Sequence, residues 1–251
     1  LPDGGVGVLR VVALGFSAVL VLGAGISGPG IPAGATIVTI GTGTMTISAA
    51  ATATNTGQAF TVAQNINLAE TNTANWTTQT INSLRNAATT TNGTTLTITA
   101  GNTITIATGG ILYGSAVGGA STITGGTIVP GLGKELVVFA NGKTLTINSV
   151  LGESLAGTTD VTFRGNIGIG AGNNDVVLGA NNTYTGNTYI SGVRVRTDLA
   201  TVTAPFGTGL NGNVYIYGNN GGQFFFNTAQ KITRNWYIIG SGWGEASGNN
   251  T

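Results

Sequence analysis

The chain of 251 residues contains no cysteine and no histidine. The absence of cysteine excludes disulfides, thiolate metal sites and thiol nucleophiles. The absence of histidine removes the commonest general base and the commonest metal ligand, so no Ser-His-Asp or Cys-His apparatus can form within the chain. A chain without cysteine fits a protein of a bacterial or archaeal exterior that is stabilised by repetition instead of covalent links.

Charged side chains are also scarce, at 7% of residues against about 25% in an average globular protein. The formal net charge is +1, which predicts neither a basic face for nucleic acid nor an acidic face for cations. The hydrophobic fraction of 41% is enough for a buried core, so disorder is not expected. A neutral surface rich in threonine, asparagine and glycine favours packing against copies of the same protein, because little repulsion opposes association.

The few carboxylates give no sign of catalysis. They are widely spaced, at Asp3, Glu70, Glu135, Glu153, Asp160, Asp175, Asp198 and Glu245. A glycosidase needs two carboxylates that converge on one bond, and only the stacking of neighbouring rungs would bring Asp160 and Asp175 together. Calcium-binding loop patterns are absent, and the glycine-rich stretch 165–170 precedes no helical pattern that would complete a phosphate loop. The sequence predicts no enzyme, no metal site and no cofactor.

What the chain does contain is a long series of short β-strand patterns. Alternating or β-branched runs of three to five residues, separated by Gly, Asn and Ser, recur from residue 94 onward and show no helical period. This pattern excludes helical and α/β folds and leaves a β-sandwich or a parallel β-solenoid. The loose repetition every 16–25 residues, roughly, favours the solenoid. The general preference for right-handed crossovers favours a right-handed winding. A further strand is predicted over residues 75–84.

Residues 174–190, NDVVLGANNTYTGNTYI, form the most specific stretch. A strand that opens at Asp175 is followed by an Asn-containing turn, by Thr183-Tyr184-Thr185, and by a second short strand at Thr188-Tyr189-Ile190. The stretch resembles the L-x-G-x-N-T-Y-T-G-x-T-x-I repeat of the autotransporter-associated β-strand family, with alanine where that repeat has its first glycine. TINSLR at residues 80–85 resembles the strand that often opens a run of these repeats. The resemblance implies a β-solenoid or adhesin-like protein of the bacterial surface.

Three regions are expected along the chain. Residues 1–25 are the most apolar, with Arg10 the only charge between residues 6 and 26; we interpret them as a buried or inter-subunit strand, with a residual secretory signal or a membrane anchor as alternatives. Residues 26–57 predict a β-hairpin module, because residues 36–40 and 44–48 alternate on either side of a glycine-containing turn. Residues 58–251 predict the solenoid, and no stable membrane span is expected.

The ends of such a solenoid are the expected functional surfaces. Each end presents open strand edges, and terminal coils normally need a polar cap. Here both ends are apolar, and the residues expected at inter-subunit contacts are Val11, Leu14, Phe16, Leu20, Val21, Phe224, Phe225, Phe226, Trp236, Tyr237 and Trp243. The sequence therefore predicts a secreted, extracellular or cell-surface structural protein that binds copies of itself to build a filament, sheath or surface layer.

A binding function is the alternative. Arg194 and Arg196 share one face of a strand with Asp198 nearby, which indicates a solvated face, an inter-subunit salt bridge or a contact to an anionic surface glycan. The aromatic side chains between residues 215 and 237 are interpreted as core residues or as contacts between protomers. A platform for stacking sugars is the less favoured interpretation. An adhesin-type rod that presents a binding face is thus the second hypothesis, and a carbohydrate-active β-helix enzyme is a distant third.

Overall fold

The computed structural model describes residues 7–10, 25–41, 44–50, 52, 61–62, 65–68, 75–86, 93–114, 119–155, 157–165, 175–209, 211–218, 221–226 and 232–240. Every regular element of more than one residue within these ranges is a β strand, which confirms the all-β prediction. The chain divides into two compact units, residues 1–66 with 80–82, and residues 67–79 with 83–251.

The first unit contains the predicted hairpin. Its strands are β1 (Gly7–Arg10), β2 (Ile26–Ser27), β3 (Ile37–Gly41), β4 (Thr44–Ile47) and β5 (Thr61–Val62). Antiparallel pairing joins β3 to β4 and β4 to β1, while β2 pairs with β5. Ile37 and Ile47 lie opposite each other and are both buried. These two apolar side chains thus share the buried face of the hairpin. Of the apolar segment 1–25, only Gly7–Arg10 and Gly25 are among the described residues.

The remaining strands are short and follow one another closely. They are β6 (Asn65–Leu68), β7 (Asn75–Trp76), β8 (Gln79–Ile81), β9 (Ser83–Asn86), β10 (Thr95–Ile98), β11 (Thr103–Ile106), β12 (Gly110–Gly114), β13 (Ser121–Thr124), β14 (Thr127–Pro130), β15 (Leu136–Asn141), β16 (Leu145–Ile147), β17 (Val150–Leu151), β18 (Val161–Gly165), β19 (Asp175–Leu178), β20 (Thr188–Ser191), β21 (Arg194–Thr197), β22 (Asn213–Tyr217), β23 (Gln223–Phe226) and β24 (Asn235–Ile239).

In the second unit these strands stack as a parallel β-solenoid, as predicted. The first sheet has the order β7-β10-β13-β16-β19-β21-β23, the second contains β9-β12-β15-β18-β20-β22-β24, and the third contains β11-β14-β17. Neighbouring strands within each of these series are parallel and come from successive coils. Hydrogen bonds between equivalent positions of successive coils span 27, 26 and 22 residues. The first two steps are longer than the 16–25 residues predicted from the sequence, and the third lies within that range.

The core of the solenoid is built from columns of apolar side chains. In the second sheet one register position runs through Leu84, Ile111, Val138, Phe163, Ile190, Ile216 and Ile238. The first five members are almost fully buried. Alternate residues of a strand point to the same face, so one apolar residue per coil at a constant register is enough to continue the column.

The prediction of one strand over residues 75–84 is wrong. The structure has three short strands there, β7, β8 and β9, and Ile81 and Leu84 are both buried although an odd number of steps separates them. A single straight strand would place these two side chains on opposite faces. The corner after β7 is instead held by Asn102, whose Oδ1 accepts hydrogen bonds from the Thr78 backbone N–H at 2.9 Å and from its hydroxyl at 3.0 Å.

Side-chain amides continue the solenoid where the third sheet ends. At the end of β17, Leu151 N–H donates to Asn182 Oδ1 at 2.8 Å, and Asn182 Nδ2 donates to the Pro205 carbonyl at 2.5 Å. Asn181 Oδ1 accepts from Thr203 N–H and Ala204 N–H at 2.8 and 2.9 Å. Asn182 is buried, so its two bonds satisfy backbone groups of Leu151 and Pro205 that would otherwise lie inside the protein without partners. The asparagines of the NNTYTGNTY stretch therefore replace strand pairing between coils.

Candidate functional site

The apolar columns become exposed to solvent at the last coil that the structure describes. Within the second sheet the exposed fraction rises from 0% at Ile190 to 7% at Ile216 and 69% at Ile238. In the first sheet Thr197 is fully buried, whereas Phe226, its partner in the register of β23, is 40% exposed. β23 and β24 are the last members of their sheets among the described strands. We call the exposed apolar residues of this coil the terminal surface: Phe225, Phe226, Tyr237, Ile238 and Ile239.

An aromatic cluster supports the terminal surface from beneath. Phe206 is fully buried, and its ring meets those of Phe224 and Trp236 edge to face at centroid distances of 4.7 and 5.6 Å. Phe226 packs on Phe224 at 4.4 Å. Such arrangements suit the quadrupoles of the rings and hold them in defined positions. The cluster lies in the coils beyond the end of the third sheet, where large rings occupy the interior.

The structure brings together part of the predicted contact set. Residues 224–226, Trp236 and Tyr237 meet in the last described coil. Ile238 and Ile239 belong to the same surface but were not predicted. The sequence of β24 repeats the alternation of β22, so they could have been found from the sequence. The other predicted contact residues lie outside the described residues, namely Val11, Leu14, Phe16, Leu20, Val21 and Trp243.

The two arginines of β21 are bound by carboxylates of the same chain. Arg194 makes two hydrogen bonds of 2.7 Å to the carboxylate of Asp175, which lies opposite it on β19. Arg196 Nε lies 3.1 Å from Asp175 Oδ2, and its Nη1 lies 3.2 Å from Asp198 Oδ1. The Asp175 side chain is only 4% exposed. This network balances two cations with two carboxylates, and it uses the guanidinium edges that an anionic glycan would need.

The carboxylates that were weighed as a catalytic pair have separate structural roles. Asp175 belongs to the first sheet, whereas Asp160 precedes β18 in the second sheet and accepts a hydrogen bond from Asn187 N–H at 2.7 Å. Glu153 Oε2 accepts from Thr185 N–H at 2.6 Å, and Glu135 accepts from the Thr162 hydroxyl. Each of these carboxylates thus joins neighbouring coils. No group of three or more acidic side chains suited to a metal occurs in the part of the chain that the structure describes.

A ladder of asparagine and tyrosine runs along the outer face of the second sheet. Tyr189, Tyr215 and Tyr237 occupy one register position of β20, β22 and β24. Their rings are stacked, with centroids 5.2 and 5.0 Å apart and interplanar angles of 11° and 17°. Two residues earlier, Asn187, Asn213 and Asn235 form a parallel row. Asn187 Oδ1 accepts from Asn213 N–H at 3.0 Å, and Asn235 Nδ2 donates to Asn213 Oδ1 at 3.3 Å.

This ladder was also missed at the level of sequence. Its signal is the tripeptide Asn-x-Tyr at 187–189, 213–215 and 235–237, repeated at the spacing of the coils. Asn213 and Asn235 are the first residues of β22 and β24, and Asn187 immediately precedes β20. A constant position relative to the strand start is what makes identical side chains stack.

Arg234 is a buried cation next to the terminal surface. Its Nη1 donates to the Gly186 carbonyl at 2.7 Å and its Nη2 to the Tyr184 carbonyl at 3.3 Å, and the guanidinium carbon lies 5.5 Å from the centre of the Tyr184 ring. Burial lowers the pKa of Arg234, and Tyr184 and Glu153 oppose this shift. A Cβ on Gly212 would collide with the guanidinium group. Glycine at 212 therefore opens the path by which Arg234 reaches carbonyls two coils away.

No family model, curated protein or solved structure matches this chain. The resemblance of residues 174–190 to the autotransporter-associated β-strand repeat therefore stays a prediction. Within the described ranges, no helix is long and apolar enough to cross a membrane.

Proposed function

We propose that this chain is a secreted structural protein that associates with copies of itself through the terminal surface and builds an extracellular filament, sheath or surface layer. The rise in exposure along one apolar column, from Ile190 through Ile216 to Ile238, carries the proposal. The column is buried at its first six members and exposed only at the seventh, so its last member is an apolar core residue without a covering layer.

Burial of this surface by a second copy offers a large gain in free energy. Removing a large apolar side chain from water contributes about 1.5–3 kcal/mol, and the terminal surface has five such side chains, partly exposed at present. An edge strand adds unpaired N–H and C=O groups that a further strand can bind. The net charge of +1 means that copies approach with little repulsion.

Charge placed on the terminal surface is the direct test. Ile238→Lys introduces an ammonium group at a position that is 69% exposed in the single chain, so folding is expected to survive while burial against a second copy becomes unfavourable. We expect the wild-type chain to form long assemblies of uniform width under negative-stain electron microscopy, and the variant to sediment as a monomer at the same concentration.

Leu132→Lys is the matched control. Leu132 is 72% exposed and lies between β14 and β15, away from the last coil, so its charge is expected to leave assembly unchanged. Equal loss of assembly in both variants would assign the effect to charge in general. Short monomeric rods of the wild-type chain would contradict self-association and favour the adhesin-type rod, for which binding of surface glycans is then the property to measure.

A further inference from the structure

The outer tyrosine ladder has the geometry of a chemical site. Tyr189, Tyr215 and Tyr237 stand on adjacent strands in strict register, with neighbouring ring centroids 5.2 and 5.0 Å apart. Their side chains are on the solvent side of the sheet, and Tyr237 is 47% exposed. Three phenols are therefore held at the spacing of one strand with their edges accessible from water.

Asparagine side chains bind two of the three phenolic oxygens and leave their protons free. Asn187 Nδ2 donates to Tyr189 Oη at 3.2 Å, and Asn213 Nδ2 donates to Tyr215 Oη at 3.2 Å. In both contacts the amide is the donor, so the phenolic oxygen is the acceptor. The O–H groups of Tyr189 and Tyr215 can then point to solvent, which is the direction in which a proton must leave when a phenol is oxidised.

We propose that Tyr189, Tyr215 and Tyr237 form an oxidative cross-linking site, at which one-electron oxidants join neighbouring rings of the same chain into dityrosine. The co-reactant belongs to the class of one-electron oxidants that accept electrons from phenols. The product is a covalent bond between successive coils of a chain that has no cysteine and so has no disulfide with which to make one.

The reaction balances within one pair of rings. Each phenol gives one electron to one equivalent of oxidant and its O–H proton to water, which leaves two tyrosyl radicals. The radicals couple through the ring carbons next to the hydroxyl-bearing carbons, forming one C–C bond. Each of these carbons then loses its hydrogen as a proton while the phenolic oxygen regains one, which restores both aromatic rings. The pair loses two electrons and two protons in total.

Register decides which pairs react. Adjacent strands lie about 4.8 Å apart, so radicals on Tyr189 and Tyr215, or on Tyr215 and Tyr237, need only a tilt of the exposed rings to bring the coupling carbons into contact. Tyr189 and Tyr237 are two strands apart, about 10 Å, which is too far for direct coupling. Tyr215 is therefore required for every link within the ladder.

The chain supplies its own control. Tyr217 also lies on the outer face of β22, but its register neighbours are Ser191 and Ile239. The two remaining tyrosines, Tyr113 and Tyr184, are buried. Tyr217 thus matches Tyr215 in strand and face and differs in having no ring opposite it, at its own register position, on either neighbouring strand.

The test is photo-oxidation of the full chain by tris(bipyridine)ruthenium(II) and persulfate, a small one-electron oxidant system. The monomer fraction is separated and measured for dityrosine fluorescence, intact mass and linked peptides. We expect a mass lower by two hydrogens per link and linked peptides joining Tyr215 to Tyr189 or to Tyr237. Tyr215→Phe is expected to abolish these links, Tyr189→Phe to reduce them about twofold because one of two adjacent pairs remains, and Tyr217→Phe to leave them unchanged.

Several results would overturn the proposal. They are a wild-type monomer without ladder links, equal losses in Tyr215→Phe and Tyr217→Phe, or the same linked peptides at the same yield from chain unfolded in urea. Phenylalanine keeps the stacked ring, and circular dichroism of each variant shows whether the fold is retained. Because the readout is taken on monomers, it does not depend on self-association.

Discussion

The same residue type at the same register position behaves differently in two coils of the solenoid. Ile190 on β20 is fully buried, whereas Ile238 on β24 is 69% exposed, although both belong to one apolar column of the second sheet. Ile190 has a described coil on each side, and Ile238 has one. Burial in a stacked fold is thus supplied by the neighbouring coils as much as by the residue itself. The place where stacking stops determines which apolar side chains are available for contacts.

The largest difference is expected when the isoleucine of each coil is replaced by alanine. Ile190→Ala is expected to lower the free energy of unfolding by about 2–5 kcal/mol, because it removes buried methyl groups and leaves a cavity. Ile238→Ala is expected to change it by less than about 0.5 kcal/mol, as at other exposed positions. Urea unfolding of the monomers followed by circular dichroism measures both. Losses of equal size would mean that the last coil is covered in solution.

The asparagines of the two regions form a second matched pair. Asn182 is buried and bridges Leu151 to Pro205, so Asn182→Ala leaves buried backbone groups without partners and is expected to cost about 1–3 kcal/mol. Asn235 is exposed, and its side chain donates a hydrogen bond of 3.3 Å to Asn213. Asn235→Ala is therefore expected to lower the free energy of unfolding by only about 0.3 kcal/mol. The same urea experiment applies, and a larger loss for Asn235 would reverse our assignment of roles.

Alkaline pH is expected to destabilise the fold through the buried tyrosine Tyr184. Burial raises the pKa of Tyr184, and its hydrogen bond to Thr188 only partly offsets this. A raised pKa in the folded state means that the unfolded chain releases its proton first, at about pH 10. Stability is therefore complete below about pH 10 and falls above it by about 1.4 kcal/mol per pH unit for this group.

Tyr184→Phe is the variant that checks this pH dependence. It is expected to reduce the slope of stability against pH above about pH 10, while Tyr113, whose pKa burial also raises, maintains part of it. Denaturation midpoints of the variant and of the wild type between neutral and alkaline pH provide the measurement. A slope that is the same in Tyr184→Phe and in the wild type would contradict the assignment.

Strand periodicity was enough to predict the solenoid and the hairpin. Alternation in Thr103–Ile106 and Leu136–Asn141 places every second residue in the core, and this property is local. The corners were not predictable in the same way, because the corner after β7 depends on Asn102, 24 residues from its partner Thr78. The sequence pattern describes which residues suit a strand but not where the chain turns to the next sheet.

The contacts that replace strand pairing could not be predicted from the sequence either, because their partners are also far apart along the chain. Asn181 and Asn182 have the composition of a turn, and only the coils on both sides show that their amides bond to Leu151 and to residues 203–205. The Arg194–Asp175 pair likewise joins residues 19 apart. The Asn-x-Tyr tripeptides, in contrast, were accessible from the sequence by searching for identical residues at the spacing of the coils.

The buried side chain of Arg234 has a mechanical consequence. Arg234 is the residue immediately before β24, and its side chain binds the carbonyls of Tyr184 and Gly186, 50 and 48 residues earlier in the chain. The side chain therefore crosses the coil that contains Gly212. When the chain is pulled from its C-terminal side, β24 cannot peel away while this clamp holds. Force is thereby transmitted past the intervening coil, and the last two described coils are expected to rupture in a single step in an optical trap.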